Sequence, residues 1–152
     1  MSIAGEWCDA EDGNTAEILN PATGEVMATT PKATLSDVNR CVDASRAAFE
    51  DSSWKNMDPA QRGRILNKMA QATYAKAKEL AAIESNNNGK TFREALSEIR
   101  YGAWTLEYFA GLSDKIEGST IPVPGNRLNY TLRQPLGVTV HIIPWNFPLQ
   151  LA

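Results

Sequence analysis

The chain has 152 residues, is 43% hydrophobic and 22% charged, and carries a net charge of −3. Those proportions suit a globular protein of one domain or slightly more, and they exclude a disordered tail, a collagen-like repeat and a disulfide scaffold. The acidic balance gives no cationic excess to displace counterions from nucleic acid, and no run approaches the ~18 apolar residues of a membrane span, so neither partner is expected.

The opening residues, Met1 to Glu6, show no basic segment followed by an apolar one, so no signal peptide is expected. Two cysteines, Cys8 and Cys41, suit a reducing, cytoplasmic setting. With His141 alone beside them they are too few for a zinc site, and no metal is expected.

Residues 1–31 read as short strands and turns. Asn20-Pro21-Ala22-Thr23-Gly24-Glu25 is a tight turn, with proline presetting φ and glycine supplying the permissive position. It predicts a hairpin between Ala16–Leu19 and Val26–Thr29. A first helix is expected over Leu35–Glu50, with Thr34 as its cap and Asp37 placed for a capping box. Val38, Cys41, Val42, Ser45 and Phe49 recur on one face, which reads as a core face. Cys41 on that face is a small core hydrophobe rather than a nucleophile.

A second helical region starts at Asp58 and Pro59, a good cap followed by a residue suited to the first turn. Its stripe of Ile65, Leu66, Met69, Thr73, Ala77 and Leu80 is long for one globular helix, so a break is expected near Tyr74–Lys78. Asn86-Asn87-Asn88-Gly89 ends the region with residues fit for left-handed geometry. A third helix follows from about Thr91. Phe92, Leu96, Ile99, Ala103, Leu106 and Ala110 form a buried seam. Trp104, Tyr108 and Phe109 widen the apolar surface and read as core.

The pattern changes after Gly118. Leu128–Gln134 alternates and predicts an exposed or edge strand, ended by Pro135. Leu136–Ile143 is a nearly continuous apolar run, as in a parallel strand covered on both faces. Such a strand needs neighbours, and no earlier strand of that type precedes the helices. The 152 residues therefore read as the front of a longer α/β polypeptide. Pro144-Trp145-Asn146-Phe147-Pro148 lies just past the strand, where open α/β sheets bind ligands. Asn146 carries an amide that can donate to a developing oxyanion, and two prolines stiffen its loop. The same five residues also fit a strand-end loop with no chemistry.

Pro135-Leu136-Gly137-Val138 followed by Ile142-Ile143-Pro144-Trp145-Asn146-Phe147-Pro148 resembles the signature stretch of the NAD(P)-dependent aldehyde dehydrogenase superfamily. Asn20–Glu25 resembles the family's early hairpin. Met57-Asp58 with Arg62-Gly63-Arg64-Ile65-Leu66 resembles the start of its second helix. Glu84 through Gly89-Lys90, and Tyr108-Phe109-Ala110-Gly111 with Asp114-Lys115, resemble the segments on either side of its third. The similarity runs along the whole chain in family order, and the chain resembles an amino-terminal third.

The resemblance implies an α/β fold in which the helices and hairpin lead into the first parallel strand of an incomplete Rossmann-like domain. Residues 1–127 would be the helical and hairpin part of the cofactor-binding domain. Residues 128–135 would be an oligomerisation strand, and 136–152 the start of the NAD(P)-binding sheet. Asn146 matches the oxyanion-hole asparagine. Ile143, Pro144 and Trp145, with Asn146, match cofactor-binding positions, and Phe147 and Tyr101 match walls of the aldehyde tunnel. The implied reaction oxidises an aldehyde to a carboxylate with NAD or NADP through a cysteine thioester, in a homo-oligomer, dimer or tetramer. Neither Cys8 nor Cys41 sits at the nucleophile motif, and the general-base glutamate has no counterpart, so the isolated chain is expected to be inactive. Asn87 stands where some members carry an aspartate near a monovalent-cation site. His141 falls at a variable strand position and reads as a packing or edge residue. The alternative expectation is a truncated, non-catalytic interaction protein that associates through its unpaired strands.

Overall fold

The computed structural model describes residues 1–152, apart from the side chain of Ser52. Two short antiparallel hairpins open the chain: β1 (Ser2–Ile3) with β2 (Glu6–Trp7), and β3 (Thr15–Leu19) with β4 (Val26–Pro31). The second hairpin is the expected one. Gly24 N–H donates to Asn20 O at 2.7 Å, the Asn20 side chain takes the Ala22 N–H, and a register shift falls between Ile18 and Leu19.

Helix α1 spans Leu35–Glu50, and the Thr34–Asp37 capping box is formed in both directions. Asp37 is fully buried and also accepts from Glu11 N–H at 3.2 Å, which ties the segment before β3 to the helix start. The apolar face of α1 is not a core face here: Val38 and Val42 are exposed and Cys41 is half-buried. Nothing among the described residues packs over Val38 and Val42, which is why that expectation fails. A single turn, α2 (Ser52–Lys55), follows.

The expected break is present. Helix α3 (Pro59–Ala75) ends at Lys76, and α4 (Ala77–Asn88) resumes at once. Asp58 caps α3 through Ala60 N–H at 2.8 Å. Gly89 ends α4 at φ 81°, a left-handed conformation that a residue with a Cβ adopts only at a cost. Helix α5 (Phe92–Leu112) opens on a second capping box, Thr91 with Glu94.

The core is the junction of these helices. Ala77, Ala81, Ala95 and Ile99 are buried together, with Leu80 and Leu96 packed on them. Small side chains let α4 and α5 approach closely. The α3–α5 crossing is equally tight, because a Cβ on Gly63 would stand 2.7 Å from the Ala110 carbonyl oxygen. Met69 and Phe92 fall off the buried seam and are exposed.

Three expectations fail on the outer face of α5 and beyond it. The aromatic surface is not core: Tyr101, Trp104, Tyr108 and Phe109 form an exposed ladder with ring centroids 5.4–5.8 Å apart. Leu128–Gln134 forms one isolated bridge, Thr120 with Tyr130, rather than a strand. Leu136–Ile143 joins no sheet, and most of its side chains are exposed, Leu136 at 95% and Ile142 at 94%, with Val138 and Ile143 half-buried. A strand exists through its ladder bonds, and no described segment offers a partner edge. The last element is α6 (Pro148–Leu151), which crosses α5 over the buried Gly102.

Candidate active-site loop

The loop Pro144–Phe147 is set between α6 and the α4–α5 junction. Phe147 N–H donates to Pro144 O at 3.3 Å, and Leu151 N–H donates to Phe147 O at 3.2 Å. The first bond closes a turn and the second starts α6. Pro148 occupies the first helical position, where its missing N–H costs nothing. Both prolines thus fix the loop's backbone.

The tertiary anchor is Lys90. Its Nζ donates to Glu84 Oε1 at 2.8 Å, to Glu98 Oε2, and to the backbone carbonyl of Asn146 at 2.5 Å. It also lies 4.8 Å from the centroid of the Phe147 ring, within cation–π range. The Lys90 side chain is 14% exposed and that of Glu84 5%. Burial works against the charge on Lys90, yet its hydrogen bonds to the Glu84 and Glu98 carboxylates outweigh it and hold the ammonium above its ordinary value. Lys90 is itself braced by its backbone, since its N–H donates to Asn88 Oδ1 at 3.1 Å and its carbonyl accepts from Ser85 Oγ at 2.7 Å.

The residues singled out in the sequence fall into two groups. Ile143, Pro144, Trp145, Asn146 and Phe147 are contiguous. Ile143 and Phe147 are half-buried, and Pro144, Trp145 and Asn146 are exposed. The Asn146 side-chain amide takes no hydrogen-bond partner among the described residues, so its donors are free for another group. Tyr101 lies on α5 immediately before Gly102, where α6 crosses, and its ring stacks toward Trp104 rather than into a closed cleft. His141 pairs with the Thr139 hydroxyl at 3.0 Å on an exposed segment that joins no sheet. Cys8, just after β2, donates weakly to Met1 O at 3.7 Å and Cys41 sits on α1, so each is remote in sequence from the loop. No group of three potential metal ligands exists among the described residues.

Sequence reasoning missed Lys90, although Gly89-Lys90 lay within a family-like segment. A lysine between two helices reads as solvated surface. The available signal was the pair of glutamates at Glu84 and Glu98, one on each flanking helix.

As a surface for a nicotinamide cofactor, Ile143, Pro144 and Trp145 fit in chemistry. Their side chains are apolar or aromatic and adjoin an amide donor in sequence, the residue types that suit a ring-and-ribose group.

The family model described as the aldehyde dehydrogenase family matches residues 7–152. The (Z)-2-((N-methylformamido)methylene)-5-hydroxybutyrolactone dehydrogenase of Acinetobacter baylyi is 46% identical over 144 residues, covering 93% of this chain and 30% of that protein. The cytosolic aldehyde dehydrogenase 1 of Mus musculus is 44% identical over 149 residues, covering 97% and 30%. The backbone superposes on a betaine aldehyde dehydrogenase from Staphylococcus aureus, solved with NAD+, at a TM-score of 0.93 and 33% identity, covering 98% of this chain and 30% of that one. The chain thus spans about 30% of the length of these relatives. Among the described residues, no helix is long and apolar enough to cross a membrane. From its hairpin to its proline-braced loop, the chain belongs to the aldehyde dehydrogenase family.

Proposed function

We propose that this chain is the amino-terminal portion of an NAD(P)-dependent aldehyde dehydrogenase. The observation that carries the reading is the Asn146 amide, exposed and unpartnered on a loop whose backbone is anchored, within a family match over nearly the whole chain. An oxyanion donor must be fixed before the reaction, because its contribution comes from paying no reorganisation as charge develops. In this reading a thiolate outside these residues attacks the aldehyde carbonyl, and Asn146 donates to the resulting oxyanion. Ile143, Pro144 and Trp145 would form one wall of the cofactor site, with Phe147 and Tyr101 toward the aldehyde. The cofactor, when bound, supplies a hydride acceptor.

Residues 1–127 would then belong to the cofactor-binding domain, 128–135 to an oligomerisation strand, and 136–152 to the first strand and turn of a Rossmann-like sheet. The partners would be an aldehyde and further copies of the same chain, and the setting cytoplasmic, as the cytosolic relative suggests. The test is aldehyde-dependent reduction of NAD+ or NADP+. The complete polypeptide should reduce it, and residues 1–152 alone should not. Reduction by the 152-residue chain, or none by the complete polypeptide with any of a panel of aldehydes, would overturn the reading.

A second reading draws on the bare apolar run from Leu136 to Ile142. Such an edge is a template for pairing with another chain, which suits a non-catalytic interaction protein. A reading frame that stops after Ala152 would favour it.

A further inference from the structure

We propose that Lys90 is the positioning residue for Asn146, its ammonium gripping that residue's backbone carbonyl from a socket made by Glu84 and Glu98. A lysine ammonium has three donors. Here three acceptors meet it, one carboxylate on α4, one on α5 and the Asn146 carbonyl. The Phe147 ring covers a further side. The geometry leaves the ammonium little freedom to swing toward solvent, and its own backbone is pinned by Asn88 and Ser85. The Asn146 side chain has no partner of its own among the described residues, so the backbone that Lys90 holds sets the point from which its amide reaches out. Asn146 is 56 positions later in the chain. No local turn bond fixes the carbonyl in this way, since the Phe147–Pro144 bond uses the neighbouring groups.

This assignment rests on the proposed oxyanion role only for its catalytic consequence. The anchoring itself is measurable without activity. Arginine keeps the charge but presents a planar fork in place of a compact ammonium, so Lys90→Arg should lose the three-way fit. Hydrogen exchange of the 152-residue chain is the first arm. In Lys90→Arg the Phe147 and Leu151 amides should exchange about tenfold faster, while the Ile99 and Ala103 amides inside α5 keep their protection. Unchanged exchange at Phe147 and Leu151 would overturn the proposal. If Lys90→Arg loosens all of α5, then Phe147→Leu and Glu98→Gln, which leave the Lys90–Glu84 pair in place, carry the same comparison.

The second arm is kinetic, in the complete polypeptide. Lys90→Arg should lower kcat about tenfold or more with little change in the KM for the cofactor. Added to Asn146→Ala, it should cost nothing further, because the group it aims is already gone. A full additive loss in the double variant would mark Lys90 as a general structural residue and overturn the positioning role. Absence of dehydrogenase activity in the unmodified polypeptide would sink the proposed function alone, and the exchange arm would still decide on Lys90.

Discussion

The Lys90 ammonium lies 2.5 Å from the carbonyl oxygen of Asn146, a contact that joins the turn after α4 to the loop before α6. The two carboxylates around Lys90 raise its pKa above the ordinary value of 10.5 despite burial. A raised lysine pKa means stability that is fully present below the unfolded value and lost as pH rises through the folded one. In a titration of the lysine side-chain Cε resonances, Lys90 should therefore deprotonate above the ordinary lysine value. Titration of Lys90 at or below that ordinary value would contradict the socket.

Asp37 supplies the opposite sign. Backbone hydrogen bonding from Thr34 leads the causes that hold its carboxylate below the ordinary value, against desolvation, with the Glu11 N–H, the Thr34 hydroxyl and Arg40 adding to it. Its contribution is present above the unfolded value of 3.8 and is lost as pH falls through the folded one. Thr34→Ala should lower stability by about 1 kcal/mol near neutral pH. Asp37→Asn should also flatten the acid arm of the stability profile. Urea unfolding followed by circular dichroism between neutral and acid pH reads both. An unchanged acid arm in Asp37→Asn would refute the assignment.

The α3–α5 crossing leaves no room at Gly63. Alanine there gains about 1 kcal/mol of helix propensity, but its methyl would sit 2.7 Å from a backbone oxygen, which cannot rotate away. Overpacking of this kind costs about 1–3 kcal/mol. The net effect of Gly63→Ala should be a lower unfolding midpoint, by thermal or urea denaturation. A raised midpoint would show that the helices separate freely.

The bare run beyond Pro135 should govern self-association. With Leu136 95% and Ile142 94% exposed, the 152-residue chain should form dimers or larger species by light scattering. Leu136→Lys with Ile142→Lys should reduce that association, since charge blunts an open edge. A monodisperse unmodified chain at micromolar concentration would be the contrary result.

Local chemistry made the helices legible. Thr34, Asp58 and Thr91 announce their helix starts by side-chain oxygens that accept from a free N–H within the first turn, and Lys76 and Gly89 end theirs where the periodicity falters. Burial was less legible, because amphipathic spacing says which residues share a face but not whether anything covers it. Val38, Val42 and the Tyr101–Phe109 ladder share faces that lie open. Leu136–Ile143 reads as a strand from composition, yet a ladder is a pairwise property and this segment has no described partner. The candidate loop was legible through its two prolines and its amide. Its anchor was not, since two helices, the turn between them and a loop had to be folded before Glu84, Lys90, Glu98 and Asn146 became neighbours.

The most direct measurement is turnover of the complete polypeptide carrying Asn146→Ala. Removing one oxyanion donor costs about 10²–10³ in kcat. The expected result is a loss of that size with cofactor affinity, by fluorescence titration, within a few-fold of the unmodified protein. Near-normal turnover would show that Asn146 stabilises no developing charge, and the functional reading of the loop would fall with it.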